Sequence, residues 1–306
     1  MKATVELLFL GTAAAEGWPA VFCRCEACTR ARAAGGKNMR SRQSLLVDGI
    51  FKLDLGPDTY HQALIHGLDL GLVRYVLITH THTDHFYPAE LEMRRPPFAY
   101  PAPGETDPGL DIYGNAEVLK VSLQADSGVN AANPTDPSRP VRVHTISAFQ
   151  PFTVGDAEAV ALRADHKPNE EALFYLFRRH GKTILYALDT GYFPDETWAW
   201  LESPEGRHWI GTSRSGGIDL AILDCTGGPL PGRRNHMSID ANLEVRARLV
   251  EAGLTAHNCP FIATHFSHNG KFLHDELLAT FRERSVAHGQ PADSFSVAYD
   301  GLQLVI

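Results

Sequence analysis

The sequence predicts a mixed α/β (α+β) protein whose strands form two stacked sheets in one domain, residues 1–306. Three observations predict it. Short apolar, β-prone runs fall into two broad groups along the chain. Segments with helical periodicity lie between those groups and after them. The 306 residues, 44% hydrophobic and 21% charged, match an ordinary soluble globular chain with enough apolar material for a full core. The length alone admits one large or two modest domains. No internal repeat and no low-complexity segment argues otherwise. The pattern is compatible with two stacked sheets without singling them out.

Taken in order, Thr4 to Leu10 is apolar and β-prone, and Gly11 ends it as a first strand. Cys23-Arg24-Cys25-Glu26-Ala27-Cys28 follows. Ser44 to Val47 and Phe51 to Leu55 are two strands joined through Asp48-Gly49, a tight-hairpin signal. Asp54 ends the second of these, as a turn residue or as a group that orients a ligand histidine. Tyr60 to Leu68 reads as a helix, and Val73 to Ile78 as a buried strand. Pro96 to Pro108 carries five prolines, which exclude a helix or a central strand. That loop could wall the mouth of a site or serve as a surface connection. Asn115 to Ala125 is a helix with Asn at its cap, and Gly128 to Pro140 is a second turn-rich loop.

The second group of strands is Val141 to Ile146, Ala157 to Arg163, Ala172 to Arg178 and Thr183 to Leu188. His180-Gly181-Lys182 turns between the last two, so His180 is expected in a solvated turn. Pro194 to Glu202 is a short helix, and Ser203 to Gly217 a glycine-rich loop. Ile218 to Leu223 is a strand ending at Asp224-Cys225, where Cys225 is expected to be a small apolar filler. Met237 to Ala252 is an amphipathic helix capped by Ser238. Phe261 to Thr264 is a strand and Phe272 to His288 a long helix. Phe295 to Tyr299 and Leu302 to Ile306 are terminal strands expected to pair through Asp300-Gly301.

The chemistry gathers in Leu77-Ile78-Thr79-His80-Thr81-His82-Thr83-Asp84-His85. An apolar strand delivers three histidines and an aspartate within six residues. Alternation at a strand end turns His80 and His82 the same way, and Asp84 and His85 fall on the next turn. Imidazoles and a carboxylate crowded together suit zinc, manganese or iron. Cys23, Cys25 and Cys28 can wrap one zinc in a reducing compartment, with a fourth ligand still to come from elsewhere. The cysteine total of five, an odd number, does not suit a disulfide framework.

On these residues the chain resembles the metallo-β-lactamase superfamily. The resemblance implies an αββα four-layer sandwich and a hydrolase. It also implies outlying ligands after later strands, which match His166, Asp189 and His265. His80, His82 and His166 would then hold one divalent ion and Asp84, His85 and His265 a second, with Asp189 bridging. Two such ions, zinc or manganese with iron as a further option, lower the pKa of water and polarise a phosphoryl or carbonyl oxygen. Asp84 and His236 are the expected catalytic residues, His236 as the acid that protonates a leaving group.

Gly11-Thr12, the cysteine cluster, Arg234-Asn235-His236 and Thr264-His265-Phe266-Ser267-His268 are similar to one subgroup, the phosphoribosyl 1,2-cyclic phosphate phosphodiesterases of phosphonate breakdown. There the cysteine cluster holds a structural zinc whose fourth ligand corresponds to His268. The loops near 96–108 and 203–217 look longer than that subgroup needs and could shape the pocket.

The resemblance therefore implies a small phosphate ester as the substrate, cyclic esters such as phosphoribosyl cyclic phosphate included. Alternatives are a thioester hydrolase, a tRNA 3′-end nuclease, or a non-catalytic cofactor-biosynthesis protein with a degraded metal motif. A net charge of −8 speaks against a nucleic-acid partner. No apolar run approaches the ~20 residues of a membrane span, so no membrane partner is expected. The N-terminus does not read as a signal peptide, which makes the cytoplasm the default compartment. A homodimer stays compatible with the sequence.

Overall fold

The computed structural model describes residues 4–125 and 127–306. The elements are β1 (Glu6–Gly11), α1 (Glu26–Ala34), β2 (Ser44–Val47), β3 (Phe51–Leu53), α2 (Thr59–His66), β4 (Tyr75–Leu77), β5 (Leu110–Gly114), α3 (Ala116–Gln124) and β6 (Val141–Thr145). They continue with β7 (Pro151–Val154), β8 (Ala157–Arg163), β9 (Leu173–Arg179), β10 (Lys182–Ala187), α4 (Asp195–Glu202), α5 (Pro204–Gly211) and β11 (Leu220–Asp224). The last are α6 (Ile239–Glu251), β12 (Phe261–Thr264), α7 (His274–Ala287), β13 (Ser296–Val297) and β14 (Gln303–Val305).

Two seven-stranded sheets result, in the orders β14-β1-β2-β3-β4-β5-β6 and β13-β12-β11-β10-β9-β8-β7. Each sheet is antiparallel on one side and parallel on the other. The parallel strands β11 and β12 are buried along their length, as their unbroken apolar runs require. Leu7, Phe9, Phe51 and Leu53 of the first sheet meet Tyr175, Phe177, Tyr186 and Ile222 of the second in one buried cluster. Helices cover the outer faces, with Val118 of α3 packed on Val76 and Ile112, and Leu201, Leu243 and Phe281 packed with Leu185 and Leu223. This is the αββα sandwich.

Turn and cap chemistry fixes several boundaries. Asp48 and Gly49 take positive φ of 49° and 72° to close the β2–β3 hairpin. Asn115 accepts from the N–H groups of Glu117 and Val118, and Ser238 from that of Ala241.

The structure departs from the sequence-based expectation in three places. The terminal strands do not pair with each other. β13 joins β12 in the second sheet and β14 joins β1 in the first, so the Asp300-Gly301 turn carries the chain between sheets. The half-buried Asp300 carboxylate anchors it to Thr12 and Ser41. Residues 203–217 are not all loop: α5 starts at Pro204 behind a Ser203 cap, and Trp209 and Ile210 bury its inner side. β7 is an edge strand that begins on a proline and was not expected.

Neither long loop shapes the metal site. Residues 96–108 line a cavity of ≈ 600 Å³ with Arg74 and Arg139, at the amino ends of β4 and β6. The metal-ligand loop leaves the opposite end of β4. The 203–217 segment meets the β9–β10 turn, where Arg214 N–H donates to Gly181 O at 2.8 Å. Asp189 follows the other end of β10. Among the described residues, no helix is long and apolar enough to cross a membrane.

Candidate metal centre

Carboxyl ends of parallel strands converge here, a place where open sheets leave room for ligands. His80, His82, Asp84 and His85 follow β4. His166 follows β8, Asp189 follows β10, and His265 follows β12. Asp189 and His265 adopt left-handed backbone conformations, with φ of 44° and 63°. Each such turn costs roughly 1–3 kcal/mol, and strain of this kind collects at functional sites. At Gly56 the chain passes so close to the metal loop that a Cβ there would overlap the Asp84 carbonyl.

All seven positions meet in two clusters that share Asp189. In the first, Nε2 of His80 and of His166 lie 2.8 and 3.0 Å from Nδ1 of His82. Asp189 Oδ2 stands 3.3 Å from the same two Nε2 atoms. In the second, His85 Nε2 lies 3.1 Å from His265 Nε2, 3.2 Å from Asp84 Oδ2 and 3.2 Å from Asp189 Oδ2. Donors ~2.1 Å from a tetrahedral ion stand ~3.4 Å apart, so the spacing fits.

The chemistry of the donors fits as well. Asp189 Oδ1 is buried without a hydrogen-bond partner, although His265 Nε2 approaches to 2.9 Å. That approach lacks hydrogen-bond geometry. Burial pushes His80, His82 and His166 down toward the neutral form that binds metal. Burial acts the same way on His85 and His265, but the Asp189 and Asp84 carboxylates outweigh it and raise both. The second cluster therefore demands positive charge, which a divalent ion supplies.

Outer contacts orient these ligands. His85 Nδ1–H donates to Asp54 Oδ2 at 2.8 Å. The Thr79 N–H and hydroxyl hold Asp54 Oδ1, each at 2.9 Å. Of the two roles open to Asp54, the structure places it in the orienting position. The buried Lys52, which burial lowers to about 7, donates to the Asp54 carbonyl at 2.7 Å. Thr226, which the sequence did not flag, accepts from His265 Nδ1 at 2.7 Å.

His236 stands at the edge of the centre, its ring 4.9 Å from that of His166 and 5.8 Å from that of His265. Its Nδ1–H donates to Asp224 Oδ2 at 2.9 Å. Burial opposes protonation, but the Asp224 carboxylate outweighs it and raises the pKa. A cavity of ≈ 670 Å³ beside His166 and Arg234, and one of ≈ 420 Å³ beside His82 and Asp84, open onto the centre.

Cys23, Cys25, Cys28 and His268 form a separate cluster. Cys25 Sγ lies 3.4 Å and Cys23 Sγ 3.8 Å from His268 Nδ1. The Cys28 backbone N–H and His268 lower the Cys25 thiol to about 6, whereas burial raises Cys28 to about 11. Glu16, itself held by Ser267, lies 3.7 Å from His268 Nε2. Cys225 is fully buried in the core and, among the described residues, belongs to no such cluster. His180 lies in the β9–β10 turn, far from both clusters.

A profile of the β-lactamase superfamily domain matches residues 45–256, more than half of the chain. The chain belongs to the β-lactamase superfamily. Solved structures agree with that assignment at the level of the metallo-β-lactamase fold. A diphosphatase from the PhnP family is 22% identical to this superfamily member, over 99% of this chain and 97% of its own, with a TM-score of 0.69. Zinc-bound PqqB from Methylobacterium extorquens is 17% identical over 98% and 99%, at 0.66. Unliganded yeast PDE1 is 13% identical over 100% of both chains, at 0.68. No curated protein sequence gives a significant match.

Proposed function

We propose that this protein is a dinuclear metal-dependent hydrolase, a phosphodiesterase acting on a small phosphate ester, cyclic esters such as phosphoribosyl cyclic phosphate included. The observation that carries the reading is the single carboxylate, Asp189, shared by two three-ligand clusters with a paired His236–Asp224 beside them. His80, His82 and His166 would hold one ion, and Asp84, His85 and His265 the other. Zinc, manganese and iron all suit the donor set. When bound, such ions supply Lewis acidity that makes water nucleophilic and polarises a phosphoryl group.

The chain's own residues do the rest. Asp224 fixes the His236 Nδ1–H, which leaves the proton on Nε2 for the departing oxygen. Burial works against that proton, but the Asp224 carboxylate outweighs it and raises the pKa, which favours the protonated acid form. Cys23, Cys25, Cys28 and His268 would hold a structural zinc that contributes to folding.

Metal analysis combined with turnover of bis(p-nitrophenyl) phosphate, a phosphomonoester and a thioester tests the reading. Preference for the diester supports it. Preference for the thioester overturns it.

A further inference from the structure

His80, His82 and His166 come from loops on different sheets, and one side chain joins those loops. Glu170 lies in the turn after β8, four residues beyond His166, with only 2% of its side chain exposed. Its Oε1 accepts from the Thr81 N–H at 2.9 Å and from Asn115 Nδ2 at 2.7 Å. Its Oε2 accepts from the Thr81 hydroxyl at 2.6 Å and pairs with Lys167 Nζ. Thr81 is the residue between His80 and His82. Lys167, left-handed at φ 44° directly after His166, also donates to Thr81 Oγ1. All three ligands are thereby tied through one carboxylate.

The contrast among the histidines shows why the tie matters. His85 leans on Asp54, His265 on Thr226, and His80 Nδ1 lies 3.1 Å from Thr79 Oγ1. His166 Nδ1–H donates to the Asn235 carbonyl at 3.2 Å. His82 turns Nδ1 into the cluster, and its Nε2 has no hydrogen-bond partner among the described residues. An imidazole without an outer partner is oriented through its backbone alone. The N–H groups of His85 and Phe86 hold the His82 carbonyl, and Glu170 fixes the other side of that backbone, through the Thr81 N–H.

We propose that Glu170 is a positioning residue for the metal position formed by His80, His82 and His166, and that it sets ion affinity there. The proposal rests on the dinuclear reading above. It is tested by titrating metal-stripped parent, Glu170→Ala and Glu170→Gln with cobalt(II). Visible absorption reports the His/Asp centre, and thiolate charge-transfer bands report the cysteine cluster separately.

The parent should fill two positions in the centre. Glu170→Ala should fill one like the parent and the other roughly 10–100-fold more weakly, the range typical of outer-shell changes. Its half-loaded spectrum should match that of His82→Ala and differ from that of His265→Ala. Glu170→Gln, which keeps an acceptor for the Thr81 N–H, should fall between. Parent-like affinity at both positions, or equal weakening at both, overturns the proposal and leaves the two-ion reading standing. A parent that takes up no cobalt beyond the cysteine cluster overturns both. If Glu170→Ala does not fold, a Glu170→Gln/Thr81→Val double-mutant cycle decides: coupled losses of affinity support the tie, and additive losses refute it.

Discussion

The two ligand clusters of this protein are built in opposite ways. Cys23, Cys25 and Cys28 come from one short segment at the start of α1 and draw a single partner, His268, from far along the chain. The His/Asp centre draws its seven ligands from the ends of four strands in both sheets. Three local donors and one distant histidine would close around an ion and leave no position for a substrate, which suits a staple. Donors gathered from many strand ends stand at the mouths of two cavities and leave reacting groups room to enter. The clusters approach each other along the chain after β12: Phe266 lies between His265 and His268 and pairs by backbone with Thr12 and Ala14. On the proposed reading, the origin of the ligands separates a folding role from a chemical one.

Substitutions can break this contrast, and the largest effect is expected where both ion positions converge. Asp189→Ala should remove both ions and lower kcat/KM by ~10³-fold or more, since such ions supply several kcal/mol of transition-state stabilisation. Metal analysis beside kinetics checks it, and retention of both ions would contradict the shared-ligand account.

His236→Ala should keep both ions yet lose roughly 10²–10⁴-fold on an alkyl phosphodiester. The loss on a p-nitrophenyl ester should be much smaller, because that group departs without a proton. Equal losses on both would assign His236 to binding or to the fold.

Asp54→Asn should weaken the ion at Asp84, His85 and His265 by roughly 10–100-fold in a chelator competition. Asp224→Asn acts on pH dependence. Asp224 holds His236 above the usual imidazole range despite burial, and the acid form is lost as pH rises through that value. The alkaline limb of kcat should therefore move to lower pH in the variant, and an unmoved limb would remove His236 as the acid.

The smallest catalytic effect belongs to the staple. Cys25→Ser should lower zinc content and Tm, the latter by roughly 1–2 °C per kcal/mol given ~2.1 cal/mol/K of unfolding entropy per residue. Activity should scale with folded protein. A variant as stable as the parent would contradict a folding role.

Much of this was legible because the signals are local. The His80-to-His85 spacing, the Asn115 and Ser238 caps and the Asp48-Gly49 turn each lie within a few residues. The outlying ligands His166, Asp189 and His265 were reached through resemblance, each at a strand end. What escaped the sequence depends on tertiary contact. Asp300-Gly301 forms a turn as expected, yet which sheets it joins depends on partners at Thr12 and Ser41. Glu170 stands in a polar turn with no periodicity, and only folding brings it against Thr81, 89 positions away. α5 was legible in principle from Ser203-Pro204, a cap followed by an N1 proline, but the glycines around it suggested a loop.

Anomalous scattering from crystals grown with saturating zinc tests the central claim most directly. Three peaks are expected: two on either side of Asp189, ligated by His80, His82 and His166 and by Asp84, His85 and His265, and a third enclosed by Cys23, Cys25, Cys28 and His268. A single peak at the His/Asp centre, or ions bound away from Asp189, would contradict it.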